Sequence, residues 1–213
     1  MADHFDVFHE LEHEKKERII NAALEEIAQK GFKKASTNAI VEAAGISKGT
    51  LFYYFGSKEA LFNFLCDFTM EFAKREYIGK IESRIIKIDD FIERYRMLTK
   101  IKRNIMAEHP KIIKFYESFF IPGNEEYFEK YIKTIKEQRE NIAKSLYENI
   151  DYSLFRDDIA PEKTLKYIIW LLERYEKEVT QDILNSGLDG EAYEEKFKEF
   201  EAFLDDLKKI FYK

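Results

Sequence analysis

Cysteine is almost absent: Cys66 is the only one in 213 residues, so no disulfide can close within the chain. A reducing, cytoplasmic setting is the default expectation. Proline, at three, and glycine, at eight, are too few to punctuate many loops or hairpins. No apolar run reaches the ~18 residues that a membrane span needs, and MADHFDVFHELEHEKK does not read as a signal peptide. The sequence also lacks a glycine-rich phosphate loop and metal-ligand spacing. Cys66 has no evident helper, and the histidines sit at His4, His9, His13 and His109. An enzyme, a metal and a cofactor are therefore not expected.

What is present is long stretches of period-3.6 patterning with 45% hydrophobic residues, which predict an all-α protein. A net charge of −6 argues against a general nucleic-acid coat. Between Gln29 and Lys58, however, the cations are Lys30, Lys33, Lys34, Lys48 and Lys58, and the only acid is Glu42. Such a segment suits docking through a few phosphates. Five lysines in that span also fit an ordinary solvated surface, and charge does not separate the two.

The segment TNAIVEAAGISKGTLFYYFGSKEAL, from Thr37 to Leu61, separates them. Ile40, Val41, Ala43 and Ala44 give a short helix an apolar side, capped by Ser36 or Thr37. Gly45 stands where a helix end favours φ > 0. Ser47 caps a second helix, with Lys48, Gly49 and Thr50 in its first turn. Leu51 and Phe55, four apart, face inward. Gly56 ends that helix, and Ser57 caps the next. Two short helices across a tight turn make a helix-turn-helix, whose second helix fits the DNA major groove.

Residues 1–14 read as a loose or partly helical leader, in which His9 and His13 are more simply solvated than metal-binding. A helix follows from about Glu14 to Lys30, stopped by Gly31, with Phe32 packing back under it. The helix from Lys58 to about Tyr77 is a natural mechanical link to the rest. Asp89 or Asp90 caps a helix from Phe91 to about Glu108. Pro110 opens an aromatic helix that ends at the Ile121–Asn124 turn, and Glu125 to Glu148 form another. The last two helices span about 162–185 and 191–211. Stripes at 3–4 spacing run through Leu165, Ile168, Leu172, Tyr175, Val179 and Ile183, and through Tyr193, Phe197, Phe200, Leu204, Leu207 and Phe211. Tyr167, Trp170, Leu171 and Arg174 mark a second side of the first of these. A helix apolar on two sides packs between two partners, and we expect one of them to be a second copy of the chain.

The strings RIINAALEEIAQKGF and ASTNAIVEAAGISKGTLFYYFGSKEAL resemble the DNA-binding domain of TetR-type transcriptional regulators. The resemblance covers about the first quarter of the chain in detail and the remainder only in layout. It implies an N-terminal three-helix helix-turn-helix domain over residues 1–57 and a C-terminal helical ligand-binding and dimerisation domain over residues 58–213, nine-helix-like overall. It further implies a homodimer on a palindromic double-stranded DNA operator, most often as a repressor, released by a small-molecule effector. The phosphate contacts it implies fall on Thr37, Tyr54 and Lys58. The groove-reading positions fall on Asn38, Lys48, Gly49, Thr50 and Tyr53. Lys48 suits guanine O6/N7 and Thr50 a thymine methyl. Phe52 replaces the tyrosine common there and cannot donate to phosphate.

On the ligand side, Tyr95, Phe115, Phe119, Tyr131 and Trp170 belong to an unusual aromatic wealth. They line a cavity for a flat, apolar or cationic ligand, or they simply fill a core. Gln138 interrupts the stripe between Ile135 and Ile142, and its partner is a ligand, a neighbouring helix or water. A TetR-like protein without an inducer, acting in chromosome organisation, is the alternative. A solid core rather than a cavity would favour it.

Overall fold

Serine and glycine at the right spacings build the helix ends of the first half of the chain. The computed structural model describes residues 4–121, 124–186 and 190–213. Its α-helices are α1 (His4–His9), α2 (His13–Lys34), α3 (Thr37–Ala44), α4 (Lys48–Phe55), α5 (Lys58–Ala73) and α6 (Gly79–Arg84). They continue with α7 (Phe91–Glu108), α8 (Pro110–Ser118), α9 (Glu125–Tyr147), α10 (Pro161–Ser186) and α11 (Gly190–Phe211). Among the described residues there is no strand, only an isolated antiparallel bridge between Phe155 and Tyr212. The all-α expectation holds. The expected turns through Pro122 and Gly123 and through Leu188 and Asp189 lie outside the described residues. So do the side chains of Ile183 and Tyr193.

Three helix starts use the same device. Ser36, Ser47 and Ser57 each turn their hydroxyl oxygen to accept from an amide three residues on, at Ala39, Thr50 and Ala60. At the end of α3, Gly45 takes φ 65°, the left-handed conformation that lets its amide reach back to Val41 and Glu42 carbonyls. Of the two cap candidates for α7, Asp90 is the one used: its Oδ1 accepts from the Ile92 and Glu93 amides.

Gly31, at φ 70° and ψ 162°, stops the regular run of α2 as its sequence position indicated, and one further helical turn follows to Lys34. One departure from the sequence reading is local. Helix α5 is α-helical only to Ala73 and widens into a π turn over Lys74–Ile78. Hydrophobic period over so short a run does not distinguish the two windings.

The chain divides into two compact units. One takes in Met1–Ile78 and Glu108–Asn141, the other Gly79–Ala107 and Ile142–Lys213. The first buries Ile19, Leu24 and Ile27 of α2 with Ile40, Leu51, Leu61 and Leu65. Aromatic rings extend that interior: Phe62 lies 4.6 Å from Phe32 and 5.2 Å from Phe128. The second unit has a core of Phe91, Ile92, Tyr95, Ile168, Leu172, Phe200, Leu204 and Leu207. There the guanidinium of Arg94, without exposed surface, is buried among backbone carbonyls.

Candidate nucleic-acid interface

Helix α4 is eight residues long and presents two different faces. Leu51, Tyr54 and Phe55 are buried, while Lys48, Gly49 and Tyr53 are exposed and Thr50 is half-buried. Tyr53 is 56% exposed, unusual for so large a ring. An isolated helix this short is marginal in water, so its buried inner face holds α4 in place.

The turn before α4 is tied down locally. Ser47 Oγ accepts from the Thr50 amide at 3.0 Å and lies 2.8 Å from Thr50 Oγ1. The Thr50 hydroxyl is thus engaged with Ser47. Gly49 has open space around its Cα apart from Ser47 Oγ, 3.8 Å from where a Cβ would stand.

At the other corner, Glu26 of α2 receives the Ser36 amide at 2.8 Å and the Lys30 ammonium at 2.9 Å. Burial acts to raise the pKa of this carboxyl. The bonds from Lys30 and Ser36 outweigh it and hold the group below its ordinary value. The same residue pins the approach to α3, where Asn38 is exposed and Thr37 half-buried. The first amides of a helix have no partner within it, which is what a phosphate at Thr37 would use.

The expected phosphate contacts at Lys58 and Tyr54 are more deeply engaged than sequence alone suggests. The Lys58 ammonium donates to the Lys33 carbonyl at 3.2 Å and stands 4.9 Å above the Phe32 ring. Tyr54 is 6% exposed, with its ring edge-on to Phe8 at 5.8 Å and 5.7 Å from Tyr53. Phe8, from the segment read as a loose or partly helical leader, lies on α1 and is itself buried. Its only sequence signal was the spacing of Phe5, Phe8 and Leu11. Phe55 is core, as its spacing indicated. His9 ends α1 and His13 begins α2, so the two do not share a helix. The His4 side chain lies outside the described residues. Among the described residues no group of histidine, cysteine and carboxylates is placed to hold a metal.

Of the six residues considered for a ligand, the structure brings three together. Phe115 lies 5.4 Å from Phe119, which stacks on Phe128 at 4.2 Å and stands 5.9 Å from Tyr131. The Tyr131 hydroxyl donates to Asp67 Oδ1 at 3.0 Å. Gln138, on α9 in the same unit, is half-buried. Tyr95 belongs to the second unit, packed on Phe91 at 5.2 Å. Trp170, also of that unit, is 54% exposed, with Tyr167 at 5.9 Å and the Lys166 ammonium over its ring. An open cleft of about 160 Å³ runs beside Thr99, Lys100 and Phe197, smaller than the ~300–1,000 Å³ usual for small-molecule sites. Burial, with the Asp67 charge beside it, pushes the Cys66 thiol up, so it is no thiolate nucleophile at neutral pH.

Residues 19–65 match the family described as bacterial regulatory proteins, tetR family. Across the chain, the sequence is 24% identical over 222 residues to YerO of Bacillus subtilis, an uncharacterized HTH-type transcriptional regulator, covering 92% of this chain and 76% of YerO. A second B. subtilis regulator, YvdT, is 51% identical over 47 residues, which are 22% of this chain and 24% of YvdT. The fold is similar to that of FadR from B. subtilis, solved in complex with stearoyl-CoA. The TM-score is 0.53 with 17% identity, covering 89% of this chain and 96% of FadR. Among the described residues, no helix is long and apolar enough to cross a membrane. Helix-turn-helix geometry and matched segment coincide: residues 19–65, which hold α3 and α4, match the tetR family of bacterial regulatory proteins.

Proposed function

We propose that the chain is a homodimeric, cytoplasmic repressor that docks α3 and α4 on a palindromic DNA operator. The observation that carries this reading is the two-faced α4, which buries Leu51, Tyr54 and Phe55 and leaves Lys48, Gly49 and Tyr53 outward. Asn38, Lys48, Gly49, Thr50 and Tyr53 read the groove. Thr37, Tyr54 and Lys58 set the register on phosphates. The exposed Tyr167, Trp170 and Leu171 of α10 support pairing of two copies, since an apolar patch of that kind marks an interaction surface. Pairing places two reading helices about one DNA turn apart, roughly 34–36 Å. Residues 1–57 are the DNA-binding part and 58–213 the effector and dimer part of this reading.

In the same proposal an apolar effector favours one conformation of the chain over another and thereby the spacing of the heads. Phe115, Phe119 and Tyr131, with Gln138 of the same unit, are the residues offered to it; Tyr95 and Trp170 belong to the other unit and are not. A second reading is a DNA-binding protein without an inducer, acting in chromosome organisation. The observation in its favour is that Phe115 and Phe119 have no exposed surface and fill their own interior.

Selection of binding duplexes from a random pool tests the first part: recovery of a two-fold symmetric site supports it, and recovery of no preferred sequence sinks it. Titration of the bound complex with stearoyl-CoA and with flat aromatic cations then separates the two readings. Release by one of them supports the effector, and indifference to all supports the second reading.

A further inference from the structure

The Phe8 ring sits in an aromatic nest made by the recognition helix and the helix after it. Its centroid is 4.9 Å from Phe55, 5.8 Å from Tyr54 and 5.4 Å from Phe64, and the residue is 1% exposed. Two of the three buried residues of α4 therefore rest on a side chain of α1, with α2 and α3 between the two in the chain. Phe64 stands 5.3 Å from Phe55 and stacks on Phe68 at 6.2 Å, which ties the nest to α5. The short α1 that carries Phe8 is itself held: the Lys16 ammonium donates to the His9 carbonyl at 3.0 Å, and the Leu11 amide to the Phe8 carbonyl at 3.3 Å. Phe8 also lies outside residues 19–65, the segment matched to the family. The helix-turn-helix of this chain thus rests on a support that the matched segment does not contain.

An eight-residue helix has too few internal bonds to hold its own orientation. Its roll about its axis is set by what its inner face touches. Ring contacts of this kind have preferred edge-on and tilted geometries, so they fix angle as well as distance. A small roll of α4 moves the Lys48, Thr50 and Tyr53 side chains relative to base edges, where bidentate contacts tolerate little misplacement. Contacts to phosphate, made by flexible charged chains, tolerate more.

We propose that Phe8 is a positioning residue for sequence reading: from outside the shared segment it sets the roll of α4 through Tyr54 and Phe55. This rests on the reading of α4 as the groove-reading helix. Loss of Phe8 should degrade discrimination between sequences more than it degrades attraction to DNA.

The test uses the full chain, a duplex selected by the wild type, and a scrambled duplex of equal length. Phe8→Ala is expected to lower the ratio of selected to scrambled affinity about tenfold, with a much smaller fall in scrambled affinity, since Tyr54 is also a phosphate candidate, and with the salt slope unchanged. Amide exchange at residues 51–55 should quicken. Phe8→Leu, which keeps most of the apolar volume, should show a smaller fall, and it carries the test if the alanine variant does not fold. An unchanged ratio and unchanged exchange in a folded variant overturn the proposal. Equal losses on both duplexes overturn it too, since they show mere destabilisation. If the wild type itself selects no duplex, the DNA reading has failed instead, and the exchange comparison alone decides whether Phe8 holds α4.

Discussion

The Arg94 guanidinium donates to the Glu148 carbonyl at 2.7 Å, just past the point where α9 ends at Tyr147. The same group reaches the carbonyls of Ser145, Leu146 and Asn149 at 2.9–3.2 Å, and its Nε donates to Ile88. Asn149 takes φ 54° there, turning its carbonyl toward the cation. A helix C-terminus carries partial negative charge and unpaired carbonyls, and a planar five-donor cation satisfies several of them at once. No carboxylate is hydrogen-bonded to it among the described contacts, and the buried charge is balanced by backbone carbonyls together with the nearby charges of Asp89 and Glu148. Arg94→Met would leave those carbonyls buried and unmet, at a cost of about 3–5 kcal/mol. Urea unfolding should show the midpoint falling; a change below about 1 kcal/mol would mean that the carbonyls find water instead.

Acid should weaken the second unit through Asp90. Its carboxylate caps α7, receives the Lys208 ammonium at 2.7 Å and the Tyr212 hydroxyl at 2.8 Å. Burial acts to raise its pKa, but those bonds reverse the effect and hold it below the ordinary 3.8. The folded state then binds this proton less readily than the unfolded chain. Its contribution is complete above 3.8 and is lost as pH falls through the lower folded value. Lys208 moves the other way: held above 10.5 by Asp90 and Glu93 against burial, its contribution is full below 10.5 and fades at higher pH. Thermal melts from pH 7 to 2.5 should fall at the acid end, and Asp90→Asn should flatten that limb. Parallel curves for the two proteins would remove Asp90 from the account.

Lys48→Ala and Lys58→Ala should differ in kind. Lys48 is exposed in the first turn of α4, and its loss should relax one base position at a cost of about 1–3 kcal/mol. Lys58→Ala should weaken all sequences alike and lower the salt slope by about one. Gel-shift titrations at several salt concentrations check both. Unaltered affinity in both variants would mean that α4 is not the contact surface.

Trp170→Asp should shift the chain from dimer to monomer in sedimentation equilibrium. A carboxylate in place of the exposed indole would be desolvated without a partner in the paired state, costing several kcal/mol. A wild type that is already monomeric, or a variant that stays paired, rules out this face.

Glu26→Gln should loosen the corner between α2 and α3. The amide side chain still accepts from Ser36, but the charge-assisted part of the bond and the attraction to Lys30 are lost. A fall of about 1 kcal/mol in stability, complete above pH 4.5 and fading as pH drops through the lower folded pKa of Glu26, is the expected result. An equal fall at pH 3 would point to packing rather than charge.

The helix ends of the helix-turn-helix were legible because their causes are local. Ser36, Ser47 and Ser57 each act three residues away, and Gly45 acts on its own backbone. The inward pair Leu51 and Phe55 followed from helical period alone. Arg94 had one signal, a charge between Phe91 and Leu98 on an apolar stripe, but four of its carbonyl acceptors lie 51 to 55 positions away. Phe8 had less: its spacing to Leu11 says that one side is apolar, not what covers it. Phe115, Phe119 and Tyr131 were recognisable as a set of rings. Whether rings enclose a space or fill it depends on their mutual angles, which composition does not carry.

Local preference thus decided where this chain turns, which residues cap its helices, and which of its segments has the shape to enter a groove. Those outcomes depend on bonds closed within a few residues. What lies beneath α4, what closes the end of α9 and how the aromatic interior packs were decided only in three dimensions. Such contacts join residues far apart in the chain, and side-chain volume and angle select them.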